Sequence, residues 1–214
     1  ITTAQISGLT TAQLAVMTTA QMVAMGSDQV KTLSTAQLAS IMAATLTAME
    51  TADFAALTSA QMAGLTPAQV TALTTAQVVA LSTDQVSVLT TAQLISLTSA
   101  QLAKMETDDL VALSTAQIRS LTSAQVAALT TGQIASMGTD QVAAFTTAQI
   151  AALTTKQVVA LTTDQASSLT TAQAASLTTA QIVAIETDDL QAMTTAQLVA
   201  LTTAQMPALT TAQV

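Results

Sequence analysis

An eight-residue repeat runs through all 214 residues of this chain without an insertion or a deletion. A typical unit is Leu-Thr-Thr-Ala-Gln-Val-Val-Ala at residues 73–80, and the chain holds 26 such octads and six residues of another. Position 1 is apolar in all 27 units, and position 5 is Gln in 23 of them. Because no linker interrupts the register, the sequence predicts one uninterrupted repeat domain over residues 1–214.

A period of eight excludes a single continuous strand or helix. A half-buried strand alternates every two residues, and this pattern does not alternate. In one long helix, eight residues at ~100° each would move the apolar stripe by ~80° per octad, so no lasting seam would form. Each octad must therefore contain a break in its secondary structure.

The break is predicted by a helix-start signal that recurs in the octad. Position 2 is Thr or Ser in 21 units, and Gln follows three residues later, which is the pattern of a capping box. The apolar residues at positions 1 and 6 then form a hydrophobic staple around the helix start. Pro67 falls at position 3, the first helical position, where proline is favoured. We expect each octad to form a helix of about five or six residues and then turn sharply.

Helices of this length are not stable alone, so their apolar positions must be buried by neighbouring units. The predicted fold is an all-α solenoid of very short helices, one per octapeptide repeat. Two octads resist this interpretation: Pro207 stands at position 7, and the octad 41–48 has Met42 and Thr45 in place of the capping pair. Thr, Val and Ile also favour strands, so a β-solenoid with stacked Thr and Gln ladders is the alternative.

The acidic residues predict the size of one coil. All 12 lie in seven octads, which begin at residues 25, 49, 81, 105, 137, 161 and 185, so the gaps are 24 or 32 residues. If these octads share one side of the coil, a superhelical turn holds about 3.3 octads. Duplication of the gene in blocks is the other explanation of the spacing.

Three octads carry Glu at position 2 together with Asp at position 5, and two of these have a further Asp at position 4. Three carboxylates within four residues are candidate ligands for Ca²⁺. The alternative is a solvated acidic face, because carboxylates in the first turn of a helix are stabilised by its macrodipole. The candidate calcium ligands are Glu106, Asp108, Asp109, Glu186, Asp188 and Asp189.

Composition argues against most chemistry and several kinds of partner. The chain has no His and no Cys, so it lacks an imidazole base, a thiol nucleophile and the usual zinc ligands. No base is placed to activate its many hydroxyls, so we expect no enzyme activity and no cofactor apart from Ca²⁺. Four cations against 12 acidic residues disfavour nucleic-acid binding. No apolar run approaches the ~18 residues of a membrane span.

The segments LTPAQVTAL at residues 65–73 and LTTAQVVAL at residues 73–81 resemble the first helix of the TAL-effector DNA-binding repeat. The likeness covers one octad and reflects shared helix-start chemistry, since the two-helix unit and base-reading loop of that family are absent here. The whole chain resembles the repetitive tracts of very large bacterial surface and adhesin-type proteins. That resemblance implies an extracellular or cell-surface setting and a role as fibre, stalk or matrix.

Two functions follow as hypotheses. The first is a structural fibre, in which copies self-associate into a filament. The second is a repetitive binding surface, in which rows of Thr face a periodic ligand such as ice, a polysaccharide or a cell-surface glycan. The second needs Thr side chains that point outward and are not used for capping.

Overall fold

The computed structural model describes residues 2–214, and Ile1 lies outside the described residues. Within this range the secondary structure is helical, with 25 short α-helices and one 3₁₀ helix, and it contains no strand. The predicted all-α fold is therefore confirmed, and the β-solenoid alternative is not supported. The helices are α1 Thr3–Ser7, α2 Thr11–Ala15, α3 Thr19–Val23, α4 Ser27–Lys31, α5 Thr35–Ser40, α6 Ala43–Leu46, α7 Thr51–Ala55, α8 Ser59–Ala63, α9 Pro67–Ala72, α10 Thr75–Val79, α11 Thr83–Ser87, α12 Thr91–Ser96, α13 Ser99–Leu102, α14 Thr107–Val111, α15 Thr115–Ser120, α16 Ser123–Ala128, α17 Thr131–Ser136, α18 Thr139–Ala143, α19 Thr147–Ala152, α20 Thr155–Val159, α21 Thr163–Ser168, α22 Thr171–Ser176, α23 Thr179–Ala184, α24 Thr187–Ala192, α25 Thr195–Val199 and the 3₁₀ helix η1 Met206–Ala208.

The capping box starts most of these helices, as the sequence predicts. In α10, the Gln77 side chain accepts from the Thr74 backbone N–H at 3.0 Å, and the Thr74 hydroxyl accepts from the Gln77 backbone N–H at 3.1 Å. Gly26 and Gly138 have no side chain to cap with, so only their backbone N–H groups take part. Each box satisfies two backbone donors that a helix start would otherwise leave unpaired.

The turns between helices need no glycine. No residue from 2 to 214 has a positive φ angle. At the end of α9 the chain passes directly into extended backbone at Leu73, with φ −52° and ψ 140°, and then into the extended N-cap Thr74 of α10. The apolar residue at position 1 thus ends one helix and precedes the next, which explains why an octad is long enough for a helix and a turn.

The core consists of positions 1 and 6 of the octad, as the staple predicts. Position 6 is buried in every unit from Ile6 to Leu190, and position 1 is buried in every unit from Met25 to Leu201. Burying a side chain of this size contributes roughly 1.5–3 kcal/mol. Two such residues per octad offset the entropy cost that prevents an isolated five-residue helix from forming.

Two compact units divide the chain, Ile1–Ala112 and Leu113–Val214. In each unit, a helix packs against the third helix along the chain: α9 contacts α6 and α12 in the first, and α21 contacts α18 and α24 in the second. Each unit by itself is therefore coiled like a solenoid. The octad register continues across residue 112 in the sequence, and a single domain over residues 1–214 stays a prediction.

The two octads that depart from the sequence pattern still form part of the coil, but their helices are shorter or of a different type. Pro207 has no N–H to donate, and its octad forms the 3₁₀ helix η1 in place of an α-helix. Thr202 and Gln205 still form their reciprocal bonds in that octad. In the octad 41–48, α6 has four residues, and its N-cap Met42 makes no side-chain cap hydrogen bond.

Candidate functional site

The glutamine at position 5 makes two kinds of contact at once. In α9, the Gln69 Oε1 accepts from the Thr66 backbone N–H at 2.9 Å and so caps its own helix. Its Nε2 group donates to the carbonyl oxygens of Ile41, at 2.7 Å, and Leu38, at 2.9 Å. These carbonyls lie 28 and 31 residues earlier, on the preceding turn of the coil. We call these bonds from one Nε2 group the glutamine clamp.

The clamp recurs through both units. Its bond to the carbonyl 28 residues earlier is 2.6–3.2 Å long at Gln37, Gln61, Gln69, Gln77, Gln85, Gln93, Gln101, Gln141, Gln149, Gln157, Gln165, Gln173, Gln181, Gln205 and Gln213, and Gln197 makes the same bond to Leu169. The clamped carbonyls lie 3.5 to 3.9 octads before the glutamine, and contacting helices lie three apart along the chain, so one turn of each unit holds between three and four octads, a range that includes the predicted 3.3. A buried amide must be hydrogen-bonded, and each such bond contributes a net ~0.5–1.5 kcal/mol.

Thr45 shows that position 5 serves the contact between turns as well as the cap. It replaces Gln in α6, where no capping box exists, and its side chain is buried. The Thr45 hydroxyl donates to the carbonyl of Met17 at 3.3 Å, again 28 residues earlier. The shorter Thr45 side chain thus donates to the same kind of acceptor that a glutamine uses, the position-1 carbonyl 28 residues earlier.

At two of the three aspartates that replace glutamine at position 5, the bond between turns runs in the opposite direction. Asp53 accepts from the Ser27 hydroxyl at 2.5 Å, and Asp189 accepts from the Thr163 hydroxyl at 2.9 Å. Both hydroxyls stand at position 3 of an octad, the first residue of its helix, 26 residues before the aspartate. An ionised carboxylate has no proton to give, so it cannot form a glutamine clamp.

Helices that carry acidic residues pack against one another. In the first unit α4 contacts α7, and α11 contacts α14; in the second, α21 contacts both α18 and α24. All 12 acidic residues lie at the N-cap or in the first turn of these seven helices. The helix macrodipole stabilises each carboxylate by ~0.3–1 kcal/mol, while neighbouring carboxylates on successive turns repel.

The residues predicted to hold calcium fall into two environments. Glu106 and Asp108 are exposed at the start of α14, and Glu186 and Asp188 are exposed at the start of α24. The third member of each set, Asp109 or Asp189, is buried. Across residues 2–214, no group of three His, Cys, Asp or Glu side chains is arranged to hold a metal ion. Calcium binding stays a prediction.

Asp109 is the carboxyl group whose pKa is changed most clearly by its surroundings. Burial, together with the nearby negative charges of Glu106 and Asp108, raises the pKa of Asp109 from 3.8 to about 6. Burial removes water that would stabilise the charged carboxylate, and both of these neighbouring groups are negative. The neutral form of Asp109 is therefore favoured.

Threonine side chains cover the surface in a regular order. The helices α17, α20 and α23 contact one another in sequence, and their first residues, Thr131, Thr155 and Thr179, are all exposed. The hydroxyls of these three residues make no hydrogen bond within residues 2–214, because the preceding threonine at position 2 is the one that caps each helix. Outward-facing threonines that are not used for capping are what the binding-surface hypothesis requires.

The ALTTAQ repeat family matches six overlapping segments, residues 46–83, 63–99, 102–139, 134–171, 148–179 and 182–214, which together cover more than half of the chain. The chain belongs to the ALTTAQ repeat family. The letters of that name stand at residues 72–77, where they run from position 8 of one octad to the clamping Gln77 of the next. Five of the six matched segments contain both a position-5 glutamine and the position-1 residue 28 positions before it, and the exception is residues 148–179.

The search of curated proteins gives no match to this chain. The resemblances to adhesin-type tracts and to the TAL-effector repeat are not confirmed by the match to the ALTTAQ repeat. None of the helices within residues 2–214 is both long and apolar enough to cross a membrane.

The glutamine clamp is the feature that the sequence pattern did not predict. A capping box works with either Glu or Gln at position 5, yet the chain has Gln there in 23 units and Glu in none. That preference was the available signal, because only Gln can cap with its oxygen and donate with its nitrogen.

Proposed function

We propose that this protein is a structural component that self-associates into a fibre, stalk or matrix filament at the cell surface or outside the cell. The observation that carries the proposal is the glutamine clamp, which joins one turn to the next through the same atoms in octad after octad. A contact surface that repeats in this way can add a further turn without a new kind of contact. The extracellular setting rests on the resemblance to repetitive surface proteins.

Exposed apolar side chains offer a second kind of contact for a fibre. Val79, Ile95, Val111, Val159 and Val183 all stand at position 7 and are 40–51% exposed. Val159 and Val183 lie on the contacting helices α20 and α23, and all five side chains provide apolar contacts for the sides of neighbouring copies. The role is mechanical and needs no catalytic group, cofactor or nucleic acid.

Electron microscopy and sedimentation velocity of the purified 214-residue chain test the proposal. We expect filaments in negative stain and a sedimenting mass that grows with protein concentration above 21.6 kDa. A chain that stays at 21.6 kDa at every concentration, with no filaments on the grid, contradicts the proposed function.

The exposed threonines of α17, α20 and α23 favour a second candidate, a repetitive binding surface for ice or a polysaccharide. The test is thermal hysteresis and glycan-array binding of the chain and of a Thr131→Glu, Thr155→Glu, Thr179→Glu variant. Glutamate is favourable at the first position of a helix, so the variant keeps its fold while it disrupts the row of threonines. Binding that the variant loses supports this candidate, and absence of binding by the unmodified chain rejects it.

A further inference from the structure

Three carbonyl groups in the interior of the coil lack the glutamine clamp. They belong to Met25, Leu81 and Leu161, which stand at position 1 of their octads. In each case the residue 28 positions later is an aspartate, and an ionised carboxylate cannot donate to a carbonyl. Within residues 2–214, none of the three carbonyls accepts a side-chain hydrogen bond. The contact between turns is therefore built differently at these three places.

The three aspartates differ in how they meet the preceding turn. Asp53 accepts a hydrogen bond from the Ser27 hydroxyl, and Asp189 accepts one from the Thr163 hydroxyl. Asp109 is only 3% exposed, yet its side chain accepts no hydrogen bond within the part of the chain that the structure describes. Of the three, the contact between α11 and α14 is thus the one in which position 5 makes no hydrogen bond to the turn before.

Local sequence does not explain this difference. In α14 and α24 the N-cap and the first four helical residues are the same, Glu-Thr-Asp-Asp-Leu, and neither N-cap makes a side-chain cap hydrogen bond. The Leu110 N–H donates to the Glu106 carbonyl at 3.1 Å, and the Leu190 N–H donates to the Glu186 carbonyl at 3.0 Å. The two helices start alike, and they differ in the hydrogen bond that position 5 makes between turns.

Negative charge on both sides weakens the contact between α11 and α14. Asp84 is exposed at the start of α11, as are Glu106 and Asp108 at the start of α14. Neither helix carries a cation, so the charges on the two turns repel. The neighbouring helices α10 and α13 carry no charge, and Gln101 of α13 donates to the Leu73 carbonyl at 2.7 Å.

We propose that α14 opens locally, by detaching from α11, while the clamped helix α13 stays in the coil. Leu110 is fully buried, so apolar packing holds α14 in place, but no position-5 hydrogen bond adds to that packing and charge repulsion opposes it. Salt screens exposed charges, so the opening responds to ionic strength. This conformational device goes beyond the proposed function, because it belongs to a single chain whether or not copies associate.

Digestion with a glutamate-specific endopeptidase is the first test. The chain has three glutamates, all at position 2 of an octad, and the bonds after Glu106 and Glu186 are followed by the same four residues. Short peptides of both sequences calibrate the intrinsic cleavage rates. Cleavage needs a locally unfolded segment, so the rate reports how often each helix opens. Relative to the peptides, we expect cleavage after Glu106 to be about 10-fold faster than after Glu186.

Hydrogen exchange of the Leu110 amide in variants at position 109 is the second test, made in EDTA to remove Ca²⁺. Asp109→Gln supplies an amide that can donate to the Leu81 carbonyl, so we expect exchange to slow by about 10- to 100-fold. The matched control is Asp109→Glu, which has the length of glutamine and can accept from the N-cap N–H but has no amide to donate. It should stay within about threefold of the unmodified chain.

The same measurement separates charge from the missing clamp. Raising NaCl to about 0.5 M should slow exchange at Leu110 in the unmodified chain, with the Leu102 amide of α13 as the internal reference. Absence of this salt effect overturns the role of charge repulsion.

Three outcomes would overturn the local opening of α14 or its cause. Cleavage after Glu106 that is no faster than after Glu186 overturns the opening, as does a Leu110 amide that exchanges no faster than Leu102. Equal slowing by Asp109→Gln and Asp109→Glu assigns the effect to the helix cap and overturns the missing clamp as its cause. All three are read at concentrations where the chain is monomeric, so they are independent of filament formation.

Discussion

The neighbouring helices α13 and α14 have the same apolar framework and different polar contacts. In α13, Gln101 caps its helix through Thr98 and donates to the carbonyls of Val70 and Leu73, at 3.1 and 2.7 Å. In α14, the N-cap Glu106 makes no side-chain cap hydrogen bond, and Asp109 is buried in the place of the glutamine. A helix thus forms at this position of the coil with or without the capping box.

The difference shows which contacts determine the fold and which ones strengthen it. The side chains at position 6, Leu102 in α13 and Leu110 in α14, are both fully buried. The apolar core is common to the two helices, so it accounts for the coil. In α13 the glutamine clamp adds directional hydrogen bonds between turns. In α14 Asp109 cannot form this clamp, and its charge depends on pH.

The largest expected effect tests whether the core is common to both helices. Leu102→Ala and Leu110→Ala each leave a cavity at a fully buried site, so each should lower the free energy of unfolding by ~2–5 kcal/mol. Denaturant unfolding followed by circular dichroism measures both. A cost at Leu110 far below the cost at Leu102 would show that α14 is not packed as α13 is.

The next effect isolates the clamp in α13. Gln101→Glu keeps an acceptor for the Thr98 N–H but removes the donor to Val70 and Leu73, so we expect a loss of ~1–3 kcal/mol in the same unfolding measurement. Ala100→Glu is the control, because it adds the same charge at an exposed position of the same helix and should change stability by less than ~0.5 kcal/mol. Equal effects from the two variants would mean that charge, and not the clamp, is responsible.

The aspartate of α14 should make stability depend on pH. Its pKa in the folded chain, about 6, exceeds its ordinary value of 3.8, so the folded state holds a proton that the unfolded state releases between these values. The free energy of unfolding contributed by Asp109 is therefore highest below pH ~4 and falls by ~1–3 kcal/mol as the pH rises to 7. Asp109→Asn removes this dependence.

Unfolding of the unmodified chain and of Asp109→Asn at pH 4, 5, 6 and 7 measures that contribution. The gain in stability from the substitution should grow as the pH rises. The control is Asp140→Asn, an exposed first-turn aspartate, whose effect should change less over the same range. A gain that is constant from pH 4 to 7 contradicts the assignment of the raised pKa to Asp109.

Much of the fold could be predicted from the sequence because its signals are local. The capping residues Thr74 and Gln77 and the staple positions Leu73 and Val78 lie within six residues, so their spacing alone indicates a helix start. The contact between turns joins residues 28 to 31 positions apart, and no local pattern predicts which carbonyl an amide will reach. The burial of Asp109 depends on the contact between turns, so no local pattern predicts its raised pKa.

The smallest expected effect tests the two caps. Thr98→Ala removes the hydroxyl that accepts from the Gln101 backbone N–H at 3.2 Å, so it should cost ~1 kcal/mol. Glu106→Ala removes a side chain that caps nothing and that adds negative charge near Asp109, so its cost should stay within ~0.5 kcal/mol of zero. Unfolding at pH 7 compares the two variants directly. A loss at Glu106 as large as the loss at Thr98 would mean that its carboxylate stabilises the start of α14 through the helix macrodipole as strongly as a hydroxyl cap does.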